Sequence, residues 1–133
     1  MMGLTRKGEY AIRGMVFLAR QPAGGMVLMP AIAAAAEAPA SFLAKIFQAF
    51  AKGGLVISAR GSGGGFTLAR PAAEITLRQV VEVAEGPIMP NRCLSGAGSC
   101  SHGDRCKVHG VWRQVQQQVV SLLDQVTLAE IAG

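Results

Sequence analysis

Residues 91–110, NRCLSGAGSCSHGDRCKVHG, hold all three cysteines and both histidines of the chain in a stretch of glycine, serine and charge. Thiolates bind zinc or iron–sulfur clusters, and an imidazole can complete either ligand set. The spacing runs Cys93, six residues, Cys100, five residues, Cys106, two residues, His109. Structural zinc sites use close cysteine pairs, separated by roughly two to four residues, and this stretch has none. Two wide, glycine-rich gaps instead suit a loop wrapped round something larger than a single ion. Backbone N–H groups in such a loop can turn towards sulfur, which is one of the levers on cluster potential. Arg92, Arg105 and Lys107 flank the thiols and favour their ionised form. The candidate ligands are therefore Cys93, Cys100, Cys106 and His109, with His102 read as a solvated loop residue. The plainer alternative is three free cysteines in a polar loop. An odd cysteine count fits metal or redox chemistry in a reducing compartment better than a disulfide frame.

The charge of the chain is divided unevenly. Residues 1–70 carry eight basic and two acidic residues, a net of +6, whereas residues 71–133 carry five and six, a net of −1. A basic first half beside a near-neutral second half points to a polyanion-binding module joined to something else; the alternative is a set of solvated arginines that keep the chain soluble. Half of the 133 residues are apolar, enough for one domain with a core of its own or a domain plus an extension. No apolar run reaches the roughly 18 residues of a membrane span. The opening MMGLTRKGEYAIRGMVFLAR lacks a small-residue cleavage site, so no signal peptide and a cytoplasmic location are expected. No serine, histidine and carboxylate set or paired acids stand in a context that predicts catalysis.

Several elements must position the loop and the basic surface. Thr5 opens a first helix in which Tyr10, Ala11, Met15 and Leu18 share a face, and Pro22-Ala-Gly-Gly25 ends it. A helix with proline in its first turn follows from Pro30. After a break at Ala38-Pro39, a second begins at Ser41, with Phe42, Ile46, Phe47 and Phe50 in helical register. Helix, break and helix, the latter carrying Lys45 and Lys52, make a helix-turn-helix pattern. Two β-favouring runs, Leu55–Arg60 and Phe66–Arg70, flank a glycine cluster and predict a hairpin. A basic hairpin after a helix-turn-helix is a wing, and Arg60 at the base of its small-residue tip can enter a minor groove. No Gly-Lys-Ser/Thr follows these glycines, which excludes a phosphate-binding nucleotide loop. Thr76 to Gln79 has capping-box spacing and opens a helix to Gly86. Beyond the cysteines, Val108, Trp112, Val115, Val119, Leu122 and Val126 form a seam spaced by four and three, which predicts a dimer helix; the alternative is one helix packed on its own domain. Thr127 to Glu130 repeats the capping-box spacing.

These segments together resemble the Rrf-two family of bacterial transcription regulators: LTRKGEYA, LAKIFQAFAKGGLVISARGSGGGFTLARPAAEIT, the three-cysteine loop, and HGVWR followed by VTLAEI. The likeness spans nearly the whole chain and is strongest to the family's iron–sulfur cluster regulators, less so to its nitric-oxide sensors. It implies a homodimer of winged helix-turn-helix domains joined by long crossed helices, with a 2Fe–2S or 4Fe–4S cluster in the loop. Under it, Cys93, Cys100 and Cys106 match the cluster cysteines and His109 the histidine that completes the set. Ser41, Phe42 and Lys45 match recognition-helix positions that touch DNA, and Arg60 matches the wing arginine. Glu9 stands where nitric-oxide sensors place a carboxylate that reaches the partner subunit's cluster, so it is an alternative fourth ligand in trans. The sequence departs from the pattern in its first cysteine gap, six residues where five is usual, and in Ala44, where the iron–sulfur regulators carry a glutamate.

The expected fold is mainly α with a small β-hairpin wing and a long C-terminal dimerisation helix. Residues 1–86 are read as the DNA-binding domain, 87–107 as the cluster loop, and 108–133 as the dimerisation helix with a short terminal helix. The expected function is promoter binding controlled by an iron–sulfur cluster. A neutral imidazole as fourth ligand favours 2Fe–2S, while 4Fe–4S stays open. The expected partners are a near-palindromic duplex, with half-sites roughly 34 Å apart, and a second copy of the chain; no membrane is expected. Competing readings are a nitric-oxide or redox sensor with a carboxylate ligand, a regulator with zinc or an empty loop, and, more remotely, an iron–sulfur electron carrier.

Overall fold

The computed structural model describes residues 5–22, 24–59, 65–88 and 107–133. In chain order these form α1 (Arg6–Ala19), α2 (Met29–Ala36), α3 (Ala40–Lys52), β1 (Val56–Ala59), β2 (Gly65–Leu68), a 3-10 turn (Ala72–Glu74), α4 (Leu77–Glu85), α5 (Lys107–Gln125) and α6 (Leu128–Ala132). The mainly helical fold with one hairpin is the expected one.

Several helix ends have a local cause. The Thr5 hydroxyl accepts from the Gly8 N–H and caps α1, satisfying one of the donors that a helix start leaves open. Pro30 sits in the first turn of α2, where the missing N–H costs nothing. That helix stops where Glu37 turns left-handed at φ 55 and the Ala38 N–H reaches back to the Ala33 carbonyl at 3.0 Å. α4 opens on the predicted capping box: the Gln79 N–H donates to Thr76 Oγ1 at 3.2 Å, and the Thr76 N–H donates to Gln79 Oε1 at 3.0 Å. At Thr127 only half of the expected box forms, the Glu130 N–H donating to the hydroxyl. The Thr127 backbone instead bridges Thr76, with Leu77 N–H on the Val126 carbonyl and Leu128 N–H on that of Ile75. This pairing draws Val126 out of the helical seam in which its spacing had placed it.

The core forms where α1, α2, α3 and α4 meet the hairpin. Ala11, Met15, Ile32, Leu43, Phe47, Phe50, Ile75, Val80 and Leu128 are all buried. Phe47 is central, edge-on to both Phe50 and Phe66 with ring centroids 5.3 Å apart in each pair. Phe42, placed by periodicity with this group, points outward and is 41% exposed, because Leu43 fills the inward position one residue on. β1 and β2 pair antiparallel from Val56 opposite Leu68 to Ala59 opposite Gly65. The hairpin is tied down by Val27, which exchanges two backbone hydrogen bonds with Phe66. Gly65 lies beside this tie at φ 133, and a Cβ there would collide with the Val27 carbonyl; glycine alone meets both demands. The short apolar run after α1 is thus the third edge of the wing.

α5 differs from the other long helices in having no buried residue. Its half-buried residues, His109, Trp112, Val115, Gln116, Val119, Val120 and Leu123, lie along one side, and Gln116 Nε2 donates to the Ile88 carbonyl at 2.8 Å. The expected seam therefore divides. Trp112, Val115 and Val119 are half-buried, while Val108, Val111 and Leu122 are 56%, 56% and 62% exposed. Substituting the central ring, Phe47→Ala, should lower the unfolding free energy in urea by about 3–5 kcal/mol, whereas Phe42→Ala should cost less than about 1 kcal/mol; equal effects would contradict this core.

Candidate functional site

α3 buries Leu43, Ile46, Phe47 and Phe50, and that choice decides what faces out. Ser41, Phe42, Lys45, Gln48 and Lys52 are all exposed, at spacings that follow one helical stripe. Pro39 precedes this helix without a side-chain cap, so the N–H groups of the first turn around Ser41 stay open to an acceptor. A carboxylate or phosphate suits such an end, where the helix dipole adds to the hydrogen bonds. Phe42 is held by an edge-on contact with Tyr10, ring centroids 5.9 Å apart. Beside it Lys7, Phe42, Lys45, Ala49 and Val83 line a shallow groove of about 150 Å³. Two ammonium groups on an apolar floor, next to an uncapped helix start, make a surface suited to an anionic backbone.

Of the expected contact residues, the fold brings Ser41, Phe42 and Lys45 together on this surface; Arg60 lies outside the described residues. Lys7 and Gln48 join the surface without having been singled out from the sequence. Gln48 was legible as the residue one turn beyond Lys45. Lys7 was not, since its place depends on how α1 crosses α3.

A second cluster of polar groups ties α1 to α4. The Glu85 carboxylate accepts from the Thr5 N–H at 2.8 Å and from the Thr5 hydroxyl. At the C-terminus of its own helix a carboxylate is poorly placed, but it lies at the start of α1, where the dipole favours it. Gly8 makes the approach feasible: a Cβ there would stand 2.7 Å from Glu85 Cδ. Glu9, the alternative fourth ligand, is exposed on the same first turn.

Cys93, Cys100, Cys106 and His102 lie outside the described residues, and no group of three metal-binding side chains occurs among the described ones. His109 is described, in the first turn of α5 and half-buried. Its Nε2 lies 3.1 Å from Arg113 Nη2, and its Nδ1 is buried with no hydrogen-bond partner among the described residues. Arg113 was within reach of the sequence as the i+4 neighbour. Among the described residues no helix is long and apolar enough to cross a membrane.

Comparison with known proteins agrees with this arrangement. The family model for Rrf2, described as an iron-dependent transcriptional regulator, matches residues 4–133. This chain belongs to the Rrf2 family. It is 34% identical to the HTH-type transcriptional regulator IscR of Cronobacter sakazakii and to that of Escherichia coli, in each case over 99% of this chain and 81% of the relative. Among solved structures, T. potens IscR superposes with a TM-score of 0.78 at 28% identity, over 98% of this chain and 85% of the other. CymR, the global cysteine regulator of B. subtilis, also gives 0.78 at 27% identity, over 99% and 97%. The protein is thus an Rrf2-family DNA-binding transcription regulator similar to IscR, and the relatives it matches are regulators rather than enzymes.

The clamp between α1 and α4 makes Thr5 testable by stability. Thr5→Ala should cost about 0.5–2 kcal/mol of unfolding free energy and Thr5→Ser only a few tenths. An alanine variant as stable as the parent would contradict a role for the clamp.

Proposed function

We propose that this Rrf2-family protein works as a homodimer whose promoter binding is governed by an iron–sulfur cluster held by residues 87–107. The observation that carries the DNA-binding half is the outward stripe of α3, where Ser41, Phe42 and Lys45 stand exposed beside Lys7. In this reading residues 1–86 are the reading head. Ser41 and the open N–H groups of α3 hold a phosphate and set register, Phe42 and Gln48 reach base edges, and Lys45 with Lys7 neutralises backbone charge. Arg60 on the wing enters the adjacent minor groove.

Three thiols and an imidazole fit an iron–sulfur cluster better than a closed structural zinc site, given their spacing. His109 adds support, because its buried Nδ1 has no partner among the described residues and a buried polar atom in that condition is costly. Cys93, Cys100 and Cys106 would hold the cluster with His109 as fourth ligand, and 2Fe–2S fits a set containing a neutral imidazole. Glu9, exposed on α1, keeps the carboxylate alternative in trans, with the nitric-oxide-sensing role it implies. When bound, such a cluster supplies a centre whose charge and ligation respond to iron, oxidants or nitric oxide. The dimer is assigned to α5 in residues 108–133. Val108, Val111 and Leu122 are exposed along it, and a helix of this length gains little stability without a covered apolar face.

Anaerobic isolation followed by iron and sulfide analysis and visible absorbance tests the cofactor. The parent should be coloured with bound iron, and Cys93→Ala colourless yet dimeric; iron-free parent protein would contradict the reading and leave zinc or an empty loop. For DNA, Lys45→Ala and Arg60→Ala should each weaken binding to the protein's own upstream region in a mobility-shift assay. Each should also reduce the slope of log affinity against log salt by about one. Unchanged binding in both would remove α3 and the wing from the interface.

A further inference from the structure

The two nitrogens of the His109 ring meet different surroundings. Nε2 lies 3.1 Å from Nη2 of Arg113, one turn further along α5. Nδ1 is buried and has no hydrogen-bond partner among the described residues. A guanidinium offers only donors, so the contact requires Nε2 to present its lone pair. The ring's single proton then sits on Nδ1, where it finds no acceptor among these residues.

We propose that Arg113 competes with the cofactor for His109. It is a positioning residue that holds the histidine out of its ligating state and lets go when the cluster is loaded. This rests on the cluster reading given above. The conclusion is the same whichever nitrogen ligates. If Nε2 gives its lone pair to iron, none is left for Arg113. If Nδ1 does so, the ring proton is carried on Nε2, and two N–H donors face each other across the former hydrogen bond. In both cases the guanidinium has to leave. Arg113 is exposed, so the surface of α5 changes its charge arrangement when His109 changes partner.

Removing Arg113 also removes a positive charge that favours thiolates. The charge effect and the competition push in opposite directions, and a pair of variants separates them. Arg113→Met keeps an unbranched apolar stem reaching about as far as Nε and deletes every donor. In the apo-protein, long-range proton–nitrogen NMR of the ring should report the Nδ1–H tautomer at His109 for the parent and the Nε2–H tautomer for Arg113→Met. In the anaerobically isolated holo-protein, cluster loss to an iron chelator, followed by visible absorbance, should be about fivefold slower in Arg113→Met, the worth of one ordinary hydrogen bond. In the His109→Ala background Arg113→Met should not slow it. An Nε2–H tautomer in the parent, or no slowing, or the same effect with and without His109, overturns the competition while leaving the cluster reading standing. Protein isolated without iron overturns both.

Discussion

A helix gains little in water with an apolar face uncovered, and one side of α5 is left uncovered by the described residues. None of its residues is buried, although it carries Val108, Val111, Trp112, Val115, Val119, Leu122 and Leu123. α4 packs on α5, and the proposed dimer would cover the exposed side. The helix begins next to Cys106 and returns to the reading head through the backbone pairing of Thr127 with Thr76. Any partner that covers α5 is therefore mechanically joined to the cysteine segment at one end and to the α4 start at the other.

The proposed reading head is a packed unit. Its core is locked by Phe47 against Phe50 and Phe66, and close-packed interiors shift as units. α4 leads into the cysteine segment, and its last residue, Glu85, grips the start of α1 through Thr5. Lys7, two residues beyond that grip, lies in the same groove as Phe42 and Lys45. Between the cysteine segment and the proposed DNA surface lie the Glu85 carboxylate and the first turn of α1.

Much of this was legible in the sequence where a single local rule applied. Thr5, Pro30 and the Thr76 box marked helix starts, and the glycines before Phe66 marked the hairpin. What the sequence hid were the choices made between elements. Phe42 and Leu43 are adjacent and both apolar, and only the packing of α3 on α1 decides which of them turns inward. The seam of α5 reads as one stripe, yet Trp112, Val115 and Val119 are half-buried while Val108 and Leu122 stay exposed. Val126 has helical spacing but is captured by the strand-like bridge at Thr127. Lys7 and Glu85 carry no local signal, because their roles depend on the crossing of helices far apart in the chain.

The central claim is that occupancy of the cysteine segment changes how the dimer grips DNA. Its most direct test is fluorescence anisotropy on a labelled upstream duplex, using one anaerobic preparation before and after chelation of its iron. The account predicts that the two curves differ by about tenfold or more in Kd, since about 1.4 kcal/mol of coupling suffices for a switch. Superimposable curves, with the loss of iron verified in the same sample, would contradict it.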